Sequence, residues 1–112
     1  MKETYRIRIA KGEIVTAKTS PTDSPSVVML DWLFVPPTLR GQGWASKILR
    51  VVLDDADHDG LTVRLVSKSC AKQGGPGLGQ SKLDKFYERA GFVATGEWCP
   101  EHKGNVMERR SA

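Results

Sequence analysis

The chain has 112 residues, 39% hydrophobic and 27% charged, with a formal net charge of +4. That length supports one domain, 1–112, with its own core and little room for a second. The composition is that of a soluble globular protein, and no apolar run approaches the roughly 20 residues of a membrane span.

Met1-Lys2-Glu3-Thr4 runs straight into strand-like alternation, so no signal peptide is expected. The two cysteines, Cys70 and Cys99, have neither metal-ligand spacing nor a disulfide framework. They read as reduced thiols in a cytoplasmic protein without a metal. The positive charge points to an anionic partner without choosing between nucleic acid, a nucleotide cofactor and an acidic protein.

In chain order, "TYRIRIA" (4–10) alternates over one strand length, and "EIVTAK" (13–18) follows the Lys11-Gly12 turn signal, so the two form a hairpin. "SPTDSP" (20–25) is a loop. "SVVMLDWLFV" (26–35) is β-branched and aromatic enough for a central strand buried on both faces, and Pro36-Pro37 ends it. From about Gly43 the period becomes helical. Trp44, Ile48, Val52 and Ala56 fall four apart, with Ala45, Leu49 and Leu53 beside them, and Gly60 is a left-handed cap. "LTVRLVS" (61–67) is a strand and "CAKQGGPGLGQ" (70–80) an irregular loop. Ser81 and Asp84 have capping-box spacing for a second helix over 81–90 that Gly91 terminates. "FVATGEW" (92–98) and "NVMERR" (105–110) are the last strands. The order β-β-β-α-β-α-β-β predicts an α/β chain, a mixed sheet with helices packed on it.

The stretch "RGQGWA" (40–45) lies between the end of a buried strand and the first turn of a helix. The first amides of a helix lack intrahelical partners, and with the helix dipole they suit a phosphate. Gly41 and Gly43 let an anion approach the backbone, and Arg40 adds a charged contact from the side. The same spacing also serves a plain strand-to-helix connection in which the glycines only turn the chain.

"LFVPPTLRGQGWASKILR" (33–50) resembles the signature of the GCN5-related N-acetyltransferases (GNAT), with Arg40, Gly43 and Ala45 at its three fixed positions. The resemblance implies acetyl-CoA as co-substrate. Its pyrophosphate would lie on the amides of residues 41–46, hence Gly41, Gln42, Gly43, Trp44, Ala45 and Ser46, with Arg40 alongside. The strand end at Phe34 and Val35 would bond the pantetheine arm and polarise the acetyl carbonyl. "LDKFYERAGFV" (83–93) resembles the second helix of the superfamily, which gives Tyr87 the part of general acid toward the departing thiolate. A phenol of ordinary pKa, about 10, is protonated at neutral pH and suits that part. Phe86 and Tyr87 also fit a helix whose aromatics merely pack. Gln80 stands where members often carry an asparagine that contacts the cofactor.

Asp31 is the one carboxylate on the long strand, and alternation puts it on the face of Leu33 and Val35. It is either the base that deprotonates an amine or a hydrogen-bonded structural acid. The resemblance covers about 26–98. Only about 25 residues precede the long strand, where the superfamily has a strand and two helices, so the acceptor site is expected to be open or completed by another chain, as in a homodimer. An open site suits a protein lysine. Truncated members of this kind occur in phages, some as anti-CRISPR acetyltransferases, a role that length alone does not assign.

Other signals have plainer readings. "GGPGLGQS" (74–81) nearly fits a Walker A loop, but Gln80 stands where its lysine belongs. His58 and His102 lie in polar turns and read as solvated. Trp32, Trp44 and Trp98 read as core or interface packing. Arg6 and Arg8 with "MERR" would give a basic face, the basis of the rival reading as a nucleic-acid-binding module; a non-catalytic interaction module retaining the fold is a third reading.

Overall fold

A computed structural model describes residues 2–9, 12–68 and 80–111. Lys11, Cys70 and the Walker-like glycines 74 and 79 lie outside the described residues. The strands are β1 (Thr4–Arg8), β2 (Ile14–Pro21), β3 (Val27–Phe34), β4 (Thr62–Ser67), β5 (Val93–Cys99) and β6 (Gly104–Arg109). Helix α1 (Trp44–His58) lies between β3 and β4, and α2 (Gln80–Arg89) between β4 and β5. The expected order of elements is the observed one.

The sheet runs β1-β2-β3-β4-β6-β5, with β3 and β4 parallel and the other neighbours antiparallel. The last strand therefore inserts between β4 and β5. Burial falls on alternate positions, at Val15, Ala17 and Thr19 of β2 and at Val63, Leu65 and Ser67 of β4, which gives the sheet one core face. Helix α1 covers that face with Ile48, Leu49, Val52, Leu53 and Ala56, the stripe its sequence spacing predicts. The basic face expected from Arg6, Arg8 and the C-terminal arginines does not assemble. β1 is at one edge, three strands intervene before β6, and Arg109 is bonded to Asp57.

Both helices end in the same way. Gly60 (φ 69°) lets the Leu61 amide bond the Ala56 carbonyl, and Gly91 (φ 100°) lets the Phe92 amide bond the Tyr87 carbonyl at 3.1 Å. These are Schellman closures, with the apolar residue after each glycine folded back on the helix. The expected capping box does not form, because the Asp84 carboxylate turns instead to the Ser67 hydroxyl and to Gln80 Nε2 (2.9 Å). Arg109 joins three elements. Its two terminal nitrogens hold the Asp57 carboxylate of α1 at 2.8 and 3.0 Å, and its Nε donates to the Ala90 carbonyl just after α2.

Strand β3 departs from the sequence reading. Lys18 pairs with Trp32 and Thr19 with Leu30, so Asp31 is an extra residue, a β-bulge. The bulge resets the alternation. Leu30, Leu33 and Val35 are buried, while Asp31 and Trp32 are both exposed. Asp31 therefore does not share a face with Leu33 and Val35, and the strand is not buried on both faces.

Tyr5 is buried at the α1–sheet contact and donates from its hydroxyl to Asp55 at 2.5 Å. Burial, and then this bond, push the phenol well above its ordinary value, and the donated proton holds the Asp55 carboxyl below its own. The carboxyl contributes stability above about pH 4, which is lost as pH falls through its lowered value. Tyr5→Phe should cost about 1 kcal/mol at neutral pH, a Tm loss of about 4 °C or more. Melting curves should show the gap from the parent narrowing below about pH 4. A gap that stays constant through acid would exclude the Asp55 carboxylate as the partner that matters.

Candidate active site

After Phe34 the chain leaves the sheet, makes a 3-10 turn at Pro37–Leu39, and enters α1 through Gly41 and Gly43. Both glycines have positive φ, 78° and 82°. A side chain there would be strained by the backbone rather than by neighbours, since a Cβ at either position would meet nothing within 4 Å. Gly43 is the helix N-cap and offers no side-chain cap, and the first intrahelical bond runs from the Lys47 amide to the Gly43 carbonyl. The amides of Trp44, Ala45 and Ser46 precede that bond and carry the positive end of a 15-residue helix.

A concavity of about 140 Å³ lies against these residues. Val35, Leu39 and Phe86 give it apolar walls, and Arg40, both glycines and Trp44–Ser46 form the rest. The Arg40 side chain folds back so that its Nε donates to the Val35 carbonyl at 3.2 Å. Gln42 does not line the concavity; its Nε2 donates to the Thr38 carbonyl at 3.1 Å, and the Thr38 hydroxyl bonds Glu13. Those two bonds brace the outer side of the loop.

A second, larger space opens between β3 and β4. The strands pair from Val27 to Met29 against Thr62 to Arg64 and then separate. The cleft between them holds about 490 Å³. From β3 it is lined by Leu30, Asp31, Trp32 and Leu33, and from β4 by Leu65 and Val66. Leu83 and Tyr87 of α2 line it as well, together with Lys68 and the β5–β6 turn residues Glu101 and His102.

Tyr87 is only 7% exposed, and its ring meets Phe86 and Phe92 edge-on at 5.3 and 5.6 Å between centroids. Its carbonyl accepts from the amides of both Ala90 and Phe92. The Gly91-Phe92 closure thus fixes the tyrosine at the wall of the cleft through backbone and ring together. Asp31 accepts from the Ser20 hydroxyl at 3.0 Å. Gln80, expected to face the cofactor, spends its Nε2 on Ser67 and Asp84, tying the start of α2 to the end of β4.

Of the residues singled out in the sequence, Tyr87 and Asp31 therefore share one cleft, while Val35, Arg40, Gly41, Gly43 and Trp44–Ser46 share the neighbouring concavity. Trp32, Lys68, Glu101 and His102 were not legible as site residues. Only the insertion of β6 beside β4 brings the 100–103 turn to the cleft, and nothing local in the sequence encodes that pairing. Trp32 and Trp98 are 46% and 60% exposed rather than packed in the core. Among the described residues no group of three or more potential ligands could hold a metal, and no helix is long and apolar enough to cross a membrane.

Residues 4–73 match the sequence profile described as GCN5-related N-acetyl-transferase. No curated protein sequence matches significantly. Among solved structures, the chain superposes on a GNAT-family protein from Desulfovibrio desulfuricans with a TM-score of 0.67 at 21% identity, covering 88% of this chain and 62% of that one. The anti-CRISPR protein AcrVA5 gives 0.60 at 22% identity, over 96% of this chain and 98% of that one. N-acetylglutamate synthase from Neisseria gonorrhoeae, complexed with coenzyme A and N-acetyl-glutamate, gives 0.72 at 15% identity, over 98% and 26%. At these identities the structural matches speak for the fold alone, and the chain spans less than two thirds of the length of the Desulfovibrio protein. The profile match extends over more than half of the sequence and includes the glycine loop. This chain is a member of the GCN5-related N-acetyltransferase family.

Proposed function

We propose that the chain transfers an acetyl group from acetyl-CoA to an amine. One observation carries the reading: the cleft holding Tyr87 borders β3 where β4 no longer pairs with it, and the anion-ready concavity at Val35–Ser46 follows directly along the chain, where it leaves the sheet after Phe34. An extended molecule with a pyrophosphate at one end and a thioester at the other suits that run. The residues fit it, since the space before Gly41 and Gly43 is open and the first-turn amides have no side-chain cap. Acetyl-CoA, when bound, supplies a thioester whose acyl carbon an amine attacks.

The chain's own groups take the following parts. The amides of residues 41–46 hold the pyrophosphate, with Arg40 adding positive charge. An amide hydrogen of Phe34 or Val35 is the donor assigned to the acetyl carbonyl oxygen as it gains charge. The Tyr87 hydroxyl delivers a proton to the leaving sulfur. Gln80 acts by fixing α2 against β4.

A protein lysine is the acceptor class proposed. Trp32, half exposed in the cleft, offers an apolar rail for an aliphatic stem, and Asp31 and Glu101 offer carboxylates for its charged end. The nucleic-acid reading has lost its basic face and is not carried further.

Two variants test the two halves of the site. Gly43→Val should raise the Kd for coenzyme A at least about tenfold, roughly 1.4 kcal/mol, beyond the ~1–2 kcal/mol of fold stability that a left-handed valine costs. Calorimetric titration beside a melt separates the two effects, and an unchanged Kd would exclude the loop as the anion site. Tyr87→Phe keeps the ring contacts with Phe86 and Phe92. It should lower kcat on the order of 10²-fold while coenzyme A still raises Tm to the parental degree. Labelled acetyl-CoA added to a cell lysate with the protein, read by mass spectrometry, identifies the acetylated amines. No labelling above background together with no cofactor-induced stabilisation would overturn the enzymatic reading.

A further inference from the structure

The β5–β6 turn, residues 100–103, is held against the end of β4 by features that its exposure does not require. Gly104 approaches β4 so closely that a Cβ there would stand 2.6 Å from the Ser67 carbonyl oxygen and 2.7 Å from Val66 Cγ1. Lys103 is the one described non-glycine residue with positive φ, 52°. Such a backbone persists only where its surroundings impose it, and it recurs at functional sites. At the end of β5, Cys99 Sγ lies 3.3 Å from His102 Nδ1 of the turn. Glu101 and His102 line the cleft that Tyr87 lines from α2.

We propose that His102 is the base that takes the proton from the acceptor amine, and that Cys99 is its positioning residue. The proposal rests on the acetyl-transfer reading given above. The role requires the tautomer in which Nδ1–H donates to the Cys99 sulfur, which leaves the Nε2 lone pair for the amine. An N–C bond forms at the acyl carbon, the C–S bond breaks, and its electron pair stays on sulfur. The amine proton goes to His102 Nε2 and the Tyr87 proton to the thiolate. Both groups are reset by exchange with solvent. The titratable and charged groups around His102 are Cys99 at the end of β5, Glu101 and Lys103 on its own turn, Asp31 of β3, Lys68 after β4 and Tyr87 of α2. Asp31 is bonded to Ser20 and sits on the bulge, which leaves it the part of attracting the ammonium group rather than removing its proton.

The test uses the full chain, acetyl-CoA and a synthetic peptide with one free lysine and a blocked N-terminus. In the parent, the pH profile of kcat/KM should show an acid limb. His102→Gln should remove that limb and lower kcat/KM on the order of 10²-fold at neutral pH, leaving the Tm rise caused by coenzyme A unchanged. Cys99→Ala should displace the limb, and Cys99→Ser, whose hydroxyl also accepts from Nδ1–H, should restore it. A retained limb and rate in His102→Gln, with Tyr87→Phe still impaired, would overturn the assignment to His102 alone. Loss of the coenzyme A stabilisation in His102→Gln would also overturn it, by showing a general structural defect. A parent that binds coenzyme A but acetylates no peptide would overturn this proposal together with the transfer reading on which it rests.

Discussion

Two parallel strands that begin as partners and then part company set the terms for everything else in this molecule. β3 and β4 hydrogen-bond over three residue pairs and then diverge, leaving the β4-facing edge of β3 without a neighbouring strand. Buried backbone groups need partners, so an edge opened inside a sheet is stable only if something fills it. The bulge at Asp31 lies just beyond the last paired residue, Met29. An extra residue bends its strand and raises the local twist, which accounts for β3 swinging away from β4 where it does. The same bend turns Asp31 and Trp32 outward in succession and aims the chain at Pro36, where the glycine loop starts.

Around that opening, rigidity comes from few contacts, each serving several elements. Arg109 ties α1, the end of α2 and β6 with one planar group, and burial together with a bidentate carboxylate makes such a pair stronger than an exposed one. Asp57 in turn holds its charge high. By contrast Arg64 and Glu108, directly opposed on β4 and β6 but more exposed, contribute little beyond register. At the cleft, Ser67, Asp84 and Gln80 form a small polar knot that docks the first turn of α2 on the last residue of β4.

Much of the fold was legible because its signals are local. The four-residue spacing in α1, the glycines at 60 and 91 and the prolines at 36 and 37 each act within a turn of chain. The glycine-lined entry to α1 was legible for the same reason, since its amides and its helix are contiguous. Failures came where distant segments decide. The alternation over 26–35 gave no hint that Asp31 would be skipped in pairing with β2. Asp84 had the spacing of a capping box but found stronger partners in Ser67 and Gln80. His102 is the exposed turn residue its sequence suggested, but its place beside the cleft could not be read, because that depends on β6 lying next to β4, a pairing between segments about forty residues apart.

That pairing also bears on how the chain reaches its native state. Contacts that close long loops form late, because the entropy of closure comes before any reward. Until residues 104–109 dock, β4 has a bare edge from Val63 to Ser67, the residues that later meet Arg109 to Asn105. An unpaired strand of that kind is a template for pairing with another chain. The strand that completes the sheet is thus also the one that shields it from self-association during folding.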